Sequence, residues 1–182
     1  MIHKTMIVGP FQSNCTILGC DTSHEAVIID PGDETERITR EVENAGLKVK
    51  YLLHTHAHID HIGATAAVKQ KLGGIIGLHP GDTELYQNMV HQGRMFGLKC
   101  EAAPSIEKYL KDNEILSFGE ERLEVLHTPG HTPGGVSFRV IGGNERVFSG
   151  DTLFQFSIGR TDLWGGDHNA LIHSIKTRLL VL

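Results

Sequence analysis

The chain has 182 residues, 40% of them hydrophobic and 21% charged, which fits one globular domain spanning residues 1–182. Its formal net charge of −5 offers no basic field for nucleic acid or an anionic membrane surface, and no apolar run is long enough to span a membrane. The N-terminal stretch MIHKTMIVGPFQSN lacks the apolar core of a signal peptide, and three cysteines do not suggest a disulfide framework. We therefore expect a cytoplasmic protein with neither nucleic-acid nor membrane partners. The composition leaves the oligomeric state open.

Hydrophobic periodicity predicts two successive sets of elements, each ending in a helix. The first set comprises strands 2–8, 14–20 and 25–30, helix 34–45, strand 49–53, helix 61–72, strand 75–78 and a short helix 82–91 opened by Asp82. The second set comprises strands 106–109, 114–118, 121–127, 135–141 and 145–149, followed by helix 168–181. This order favours an α/β (α+β) fold in which two packed sheets carry helices on both outer faces.

The strongest functional signal is the segment His56-Ala57-His58-Ile59-Asp60-His61. In an extended segment, residues two apart point to the same side, so His56 and His58 can face one cation. The chain then turns into a helix, so the side chains of Asp60 and His61 project in a different direction and can face a second cation. Imidazole and carboxylate ligands suit zinc, and also iron or manganese, better than calcium.

Further ligands must come from distant parts of the chain, and two glycine-rich turns that follow predicted strands supply candidates. These are Thr128-Pro129-Gly130-His131-Thr132-Pro133-Gly134 and Ser149-Gly150-Asp151-Thr152. Glycine and proline fix the backbone so that one side chain can project from a strand end into a cleft. We expect His131 and Asp151 to complete the metal centre.

The motifs THAHIDH (55–61), TPGHTPG (128–134), SGDTLF (149–154) and IIDPGD (28–33) resemble, in order and spacing, those of the metallo-β-lactamase superfamily. Within that superfamily the chain is similar over nearly all its length to small glyoxalase II-like hydrolases. The resemblance implies a four-layer αββα sandwich with a dinuclear site at one edge of the sheets.

The resemblance also implies a role for each site residue. His56, His58 and His131 would bind the first of two divalent ions, which we expect to be zinc. Asp60 and His61 would serve the second ion, and Asp151 would bridge both. Between the two ions a hydroxide would attack the small-molecule substrate, a thioester such as a hydroxyacylglutathione. Asp60 would orient this hydroxide or move its proton. Asp30 resembles a family carboxylate that orients this loop, although a simple turn cap is an alternative.

The chain departs from the family pattern in two places. The family usually has a strand after the last helix that leads to a further metal-binding histidine, whereas this chain stops at Leu182. We therefore expect a sheet without its last strand and a second metal site that lacks one ligand. Either the sequence is a fragment of a longer chain, or the second metal site is weak. The family's substrate-binding Gly-Lys-Phe-Tyr-like stretch reads here Gly159-Arg160-Thr161-Asp162, in which Arg160 either pairs with a substrate carboxylate or forms an internal salt bridge with an acid such as Asp162.

Two alternatives to the thioester hydrolase follow. The Gly-Arg-Thr-Asp run also resembles glutathione persulfide dioxygenases of the same superfamily, in which one iron would be held by His56, His131 and Asp151. The other alternative is a non-catalytic, metal-binding module that keeps the fold. Outside the motifs, His54 and His127 are candidates for supporting the ligand histidines, and Met95-Phe96-Gly97 either lines the substrate cleft or, the reading we favour, anchors the core.

Overall fold

The computed structural model describes residues 1–98, 100–143 and 145–182, and two β-sheets form its centre. In the first sheet the strands lie side by side in chain order, antiparallel from β1 to β3 and parallel from β3 to β6. These strands are β1 (Ile2–Val8), β2 (Ser13–Gly19), β3 (Glu25–Ile29), β4 (Lys48–Leu53), β5 (Ile75–Leu78) and β6 (Lys108–Tyr109).

The second sheet is antiparallel throughout, with strand order β10-β9-β8-β7. Its strands are β7 (Ile115–Phe118), β8 (Glu121–His127), β9 (Val136–Ile141) and β10 (Arg146–Phe148). Residues 175–182 are π-helical and turn structure, so in the described chain no strand follows the last helix.

Within the described ranges, six α-helices flank the sheets: α1 (Thr35–Asn44), α2 (Ile59–Ile62), α3 (Thr65–Leu72), α4 (Thr83–Gln87), α5 (Met89–Met95) and α6 (His168–Ser174). A π-helical segment, Ile175–Leu179, continues α6. The last helix is fixed near its C-terminal end, because Ser174 donates to the carbonyl of Pro129, after β8, and Arg178 of the π-helical segment pairs with Asp112, before β7. None of the helices in the described ranges combines the length and apolar composition needed to cross a bilayer.

The central strands of the first sheet are buried on both faces, which explains why they read as continuous apolar runs. Successive side chains alternate between the helices and the second sheet. On β2, Ile17 packs in the core beneath the helices and Leu18 in the core between the sheets. On β3, Ile28 likewise packs in the core beneath the helices and Val27 in the core between the sheets. The layers are therefore those of the αββα sandwich that the sequence predicts.

Parallel pairing decides where the functional residues meet, because the carboxyl ends of parallel strands lie at one edge of the sheet. Asp30 follows β3, the Thr55–His61 segment follows β4, and Asp82 follows β5 after a short turn. The second sheet joins the same edge through a hydrogen bond of 2.8 Å from the Val136 N–H to the Thr55 carbonyl.

The predicted strands agree with the structure within two residues at each end, but the predicted helices need correction. The helix predicted over 61–72 is two helices, α2 and α3, because the N–H of Ala64 donates to the carbonyl of Pro31 instead of continuing the helix. The helix predicted over 82–91 is also split, with Asn88 between α4 and α5. Asp82 lies in a 3₁₀ turn, Pro80–Asp82, and makes no side-chain cap to α4. The helix predicted over 168–181 is α-helical only to Ser174.

Candidate metal centre

Three imidazoles that are distant in sequence converge at the shared edge of the sheets. Candidate ligand atoms of His56, His58 and His131 all lie within 4.8 Å of one another. The His58 Nδ1 atom is 2.9 Å from His131 Nε2, and the His56 ring contacts both rings edge-on. This is the set of three that the sequence predicts for a first metal ion.

A second set shares His56 with the first and adds His61 and Asp151, again with candidate atoms within 4.8 Å. Asp151 lies between the two sets. Its Oδ1 atom is 3.3 Å from His61 Nε2, and its Oδ2 atom is 3.8 Å from His131 Nε2. Asp60 closes the second set, with Oδ2 3.4 Å from His61 Nε2. All six residues predicted to bind metal are therefore brought together.

The hydrogen bonding of the imidazoles fits bound cations. His56 Nε2 and His61 Nε2 are buried atoms with no hydrogen-bond partner among the described residues. A buried polar atom without a partner costs free energy, so such atoms are rare unless a ligand, ion or water satisfies them. A divalent ion that accepts the nitrogen lone pairs would supply the missing partner for both.

Burial and nearby charges shift the pKa values of His58 and His61 in opposite directions. Burial, and then the neighbouring His131, lowers the pKa of His58 to about 4, so its imidazole is neutral at pH 7. Burial also opposes protonation of His61, but the nearby carboxylates of Asp30, Asp151 and Asp60 outweigh it and raise its pKa. A concentration of negative charge around His61 strong enough to hold a proton there would also attract a cation.

The Asp30 carboxylate contacts both His61 and the start of the loop that the resemblance implies it orients. Its Oδ2 atom lies 3.0 Å from His61 Nδ1, which leaves Nε2 directed at Asp151 and Asp60. The same carboxylate accepts hydrogen bonds from the backbone N–H and the hydroxyl of Thr55, at 2.7 and 2.6 Å. A support of this kind fixes the tautomer of a metal-binding histidine and strengthens its basicity. The simple turn cap weighed as an alternative would not account for these contacts.

Arg160 contributes through its backbone. Its carbonyl oxygen lies 2.7 Å from His131 Nδ1, so that the other ring nitrogen of His131 faces the cluster. Its guanidinium forms two hydrogen bonds of 2.8 Å with Asp162, and both side chains are largely exposed. Of the two readings of the sequence, the structure has the internal salt bridge.

Asp82 supports the site, although the sequence predicts only a helix start there. The carboxylate is fully buried and accepts hydrogen bonds from the backbone N–H groups of Ala57 and Gly134, at 3.0 and 2.6 Å, and from the hydroxyl of Thr132, at 2.8 Å. It therefore ties the loop of His56 and His58 to the loop of His131. The signal that could have found it is an acid soon after β5, at the edge where β3 and β4 also end.

Gln92 on α5 is the second supporting residue that the sequence analysis missed. Its amide oxygen accepts from the N–H of Ile59, and its amide nitrogen donates to the carbonyl of Ala57, both at 3.0 Å. A glutamine in an irregular stretch gives no such signal in the sequence. Neither His54 nor His127 lies in the cluster: His54 Nε2 is 3.4 Å from the Thr65 hydroxyl, and His127 stacks on His79 at a ring distance of 4.1 Å. His127 does contact the loop of His131, because its Nε2 atom lies 3.1 Å from the carbonyl oxygen of Pro133.

Two cavities open beside the histidine cluster, one on each side. The cavity beside His58 has a volume of about 410 Å³ and is bounded by α4, α5 and the Leu163-Trp164 segment. The cavity beside His61 has about 350 Å³ and includes Ser13 and Asp151. The reading of Met95-Phe96-Gly97 as a core anchor is wrong, because Met95 and Phe96 are 69% and 50% exposed and line the first cavity.

An αββα sandwich with clustered imidazoles and carboxylates at its edge defines a metal-binding protein of the metallo-hydrolase class. The chain belongs to the metallo-β-lactamase superfamily, whose family model matches residues 8–181.

Two curated relatives bear on function. The chain is 43% identical over 183 residues to "Hydroxyacylglutathione hydrolase GloC" of Haemophilus influenzae, covering 96% of this chain and 82% of that protein. It is 32% identical over 173 residues to "Persulfide dioxygenase ETHE1, mitochondrial" of Bos taurus, covering 93% of this chain and 60% of that protein.

Two solved structures share the fold and more than a third of the sequence. A protein described as "BLEG-1 B3 metallo-beta-lactamase" matches with a TM-score of 0.91 and 38% identity, covering 100% of this chain and 87% of the other. TTHA1623, solved "in a di-iron-bound form", matches with a TM-score of 0.88 and 40% identity, covering 98% and 86%.

Proposed function

We propose that this protein is a metal-dependent hydrolase that cleaves a thioester such as a hydroxyacylglutathione. One observation carries the proposal: the two carboxylate oxygens of Asp151 face different histidines, Oδ1 toward His61 and Oδ2 toward His131. A carboxylate placed in this way can bridge two cations, and paired cations are a recurring arrangement in hydrolytic metal sites.

The residues divide into two candidate ion sites. His56, His58 and His131 would hold the first ion, Asp60 and His61 the second, and Asp151 both. Divalent ions bound there would lower the pKa of a coordinated water to about 7 and withdraw electrons from a carbonyl oxygen. We propose zinc, although imidazole and carboxylate discriminate poorly among zinc, iron and manganese, and the similar TTHA1623 carries iron.

The remaining chemistry belongs to side chains of this chain. Asp60 is held in place because the Ser13 hydroxyl donates to its Oδ2 atom at 2.6 Å. Burial opposes ionisation of Asp60, but His61 and Ser13 outweigh it and lower its pKa, so the ionised carboxylate can orient an attacking water by accepting a hydrogen bond from it. Asp30 holds His61, and the Arg160 carbonyl holds His131, so two supports outside the cluster fix the orientation of its rings.

The choice of substrate is supported by similarity. The relative named as a hydroxyacylglutathione hydrolase is 43% identical, and its match covers nearly the whole chain. Three free cysteines are consistent with a reducing cytoplasm, which is the location we propose.

A second candidate is a mononuclear iron dioxygenase that oxidises glutathione persulfide. Its iron would be held by His56, His131 and Asp151, and the 32% identical persulfide dioxygenase supports it. A third candidate is a protein that binds metal without catalysis. It would follow if the second ion site were too weak to be filled.

Metal analysis combined with two assays distinguishes these candidates. Near two equivalents of zinc per chain with hydrolysis of S-lactoylglutathione would support the proposal. One equivalent of iron with oxygen uptake on glutathione persulfide would replace it with the dioxygenase. Bound metal with neither activity would leave the non-catalytic module. Asp151→Asn serves as the matched variant in each assay, since it retains the side-chain volume but removes the bridging charge.

A further inference from the structure

The cavity beside His58 has walls that are unusual for an exposed surface. They are formed by the apolar side chains Leu85, Met95, Phe96, Leu163 and Trp164. Of these, Met95, Phe96 and Trp164 are 69%, 50% and 52% exposed. Large exposed apolar side chains that converge on one concave surface generally mark a binding site, because leaving them in water is unfavourable.

The charge of the cavity is the second observation. Among the described residues no lysine or arginine lines it, and its polar lining is the exposed acid Glu84, the amides of Asn88 and Gln92, and the imidazoles of His58 and His91. The nearby guanidinium of Arg160 is occupied by Asp162. A carboxylate placed in this cavity would therefore lose water without gaining a lysine or arginine partner, and it would approach the negative charge of Glu84.

The position of the cavity ties it to the reacting centre. His58, whose Nδ1 atom lies 2.9 Å from His131, forms one of its walls. Gln92, which holds the loop between His56 and His58, forms another. A substrate bound at the histidine cluster thus has an apolar space directly beside it, about 410 Å³ in volume.

We infer that this cavity receives an uncharged, apolar arm of the substrate, and that this arm, not a glutathione carboxylate, sets the substrate preference. The inference rests on the proposed thioester hydrolysis and narrows its substrates to thioesters with an aliphatic or aromatic group on one side of the carbonyl. Methionine suits such a wall, because its flexible thioether adapts to arms of different shape.

Acyl chain length gives the first test. The metal-loaded enzyme is assayed with acetyl, butyryl, hexanoyl and phenylacetyl thioesters of N-acetylcysteamine, a neutral thiol. Each added methylene buried in the cavity should raise kcat/KM by roughly three- to fourfold. Phe96→Ala and Trp164→Ala should flatten this dependence, whereas Phe156→Ala, a change at a 93% exposed aromatic residue outside the cavity, should leave it intact.

Charge gives the second test. Leu163→Lys should lower kcat/KM for the hexanoyl thioester by about tenfold and raise that for S-lactoylglutathione, because a lysine supplies the missing partner for a carboxylate. Thioester hydrolysis that is independent of chain length, and unchanged in Phe96→Ala and Trp164→Ala, would overturn the inference while leaving the proposed function standing.

Binding of non-hydrolysable thioethers distinguishes a failure of the cavity assignment from a failure of the proposed function. S-hexyl-N-acetylcysteamine should bind the metal-loaded protein more tightly than its S-ethyl analogue, and Trp164→Ala should remove the difference. If that result is obtained without any thioester hydrolysis, the cavity assignment stands and the proposed function fails. If the two thioethers bind alike, the cavity assignment fails.

Discussion

The carboxylate of Asp82 accepts a hydrogen bond from the backbone N–H of Ala57, the residue between the two histidines of the first motif. Through its other oxygen it accepts from the N–H of Gly134, in the loop of His131. The two loops are more than seventy residues apart in the sequence. One buried acid therefore sets the distance between histidines that are proposed to share an ion.

We expect Asp82→Asn to weaken metal binding at the first site by about 10- to 100-fold. An amide has one acceptor oxygen, so its NH₂ group must face a donor, and the free energy of unfolding should fall by roughly 1–3 kcal/mol. The measurement is zinc affinity by competition with a chromophoric chelator, together with urea unfolding of the metal-free protein. Glu43→Gln, a change at an exposed helical residue, is the control. Unchanged zinc affinity in Asp82→Asn would remove the positioning role.

We expect His58→Ala and Asp151→Ala to lose metal and turnover together. His58→Ala removes one of three imidazoles from the first site, and Asp151→Ala removes the carboxylate between the two sites. Metal content by mass spectrometry of the purified variants and the rate of S-lactoylglutathione hydrolysis test this. His173→Ala, at an exposed position of α6, should match the wild type. An Asp151→Ala enzyme that keeps its activity would contradict the bridging role.

A steric prediction concerns Gly32, which packs against the turn that carries Asp60. A Cβ atom at this position would lie 1.7 Å from the carbonyl oxygen of Asp60, so the backbone of one loop must move. We expect Gly32→Ala to reduce the free energy of unfolding by more than about 2 kcal/mol and to lower second-site affinity.

The matched control for Gly32→Ala is Gly143→Ala, because a Cβ there meets none of the described atoms within 4 Å, its chain neighbours aside. Thermal unfolding of the metal-free proteins compares the two variants. Equal melting temperatures would show that the loop of Asp60 adapts without cost.

A pH dependence follows from His79. Burial, and then the neighbouring His127, lowers the pKa of His79 to about 4. Because its unfolded-state pKa is near 6.5, the unfolded chain takes up the proton first, so stability falls as the pH drops from about 6.5 toward 4. His79 is half exposed, and solvent screening reduces the effect to about 1 kcal/mol.

We expect His79→Asn to remove this part of the acid sensitivity, since asparagine can still accept the hydrogen bond from the Gly81 N–H. Urea unfolding of the metal-free protein at pH 7 and pH 5 should show a smaller stability difference in the variant than in the wild type. His173→Asn, at an exposed position, should retain the wild-type difference. An identical difference in all three proteins would rule out His79 as the titrating group.

The strands, and the part of the candidate metal centre from His56 to His61, could be predicted from the sequence because both depend on local signals. The apolar runs of β2 to β5 reflect burial on two faces, and the spacing of His56, His58, Asp60 and His61 reflects one turn from strand to helix. Supporting residues were harder to predict because their role depends on contacts between distant loops. Asp82 looks like a helix cap in the sequence, and only the pairing of β4 with β5 brings its carboxylate to Ala57. Gln92 has no local signal at all.

The helix boundaries were missed for a related reason. The periodicity of residues 61–72 predicts one helix. Gly32 and Pro31 pack close to α2, however, and the N–H of Ala64 donates to the carbonyl of Pro31, so α2 ends at Ile62. Similarly, the apolar character of Met95 and Phe96 favours core residues in the sequence, whereas in the structure both side chains are exposed and line a cavity.

Arg160 serves His131 through an atom that every amino acid possesses, while its guanidinium points outward to Asp162. Replacing the side chain should therefore leave the histidine's support in place, whatever residue is introduced. This position can diversify among descendants, or in a directed-evolution library, without dismantling the centre beside it. New substrate preferences could be selected there while the underlying chemistry is inherited unchanged.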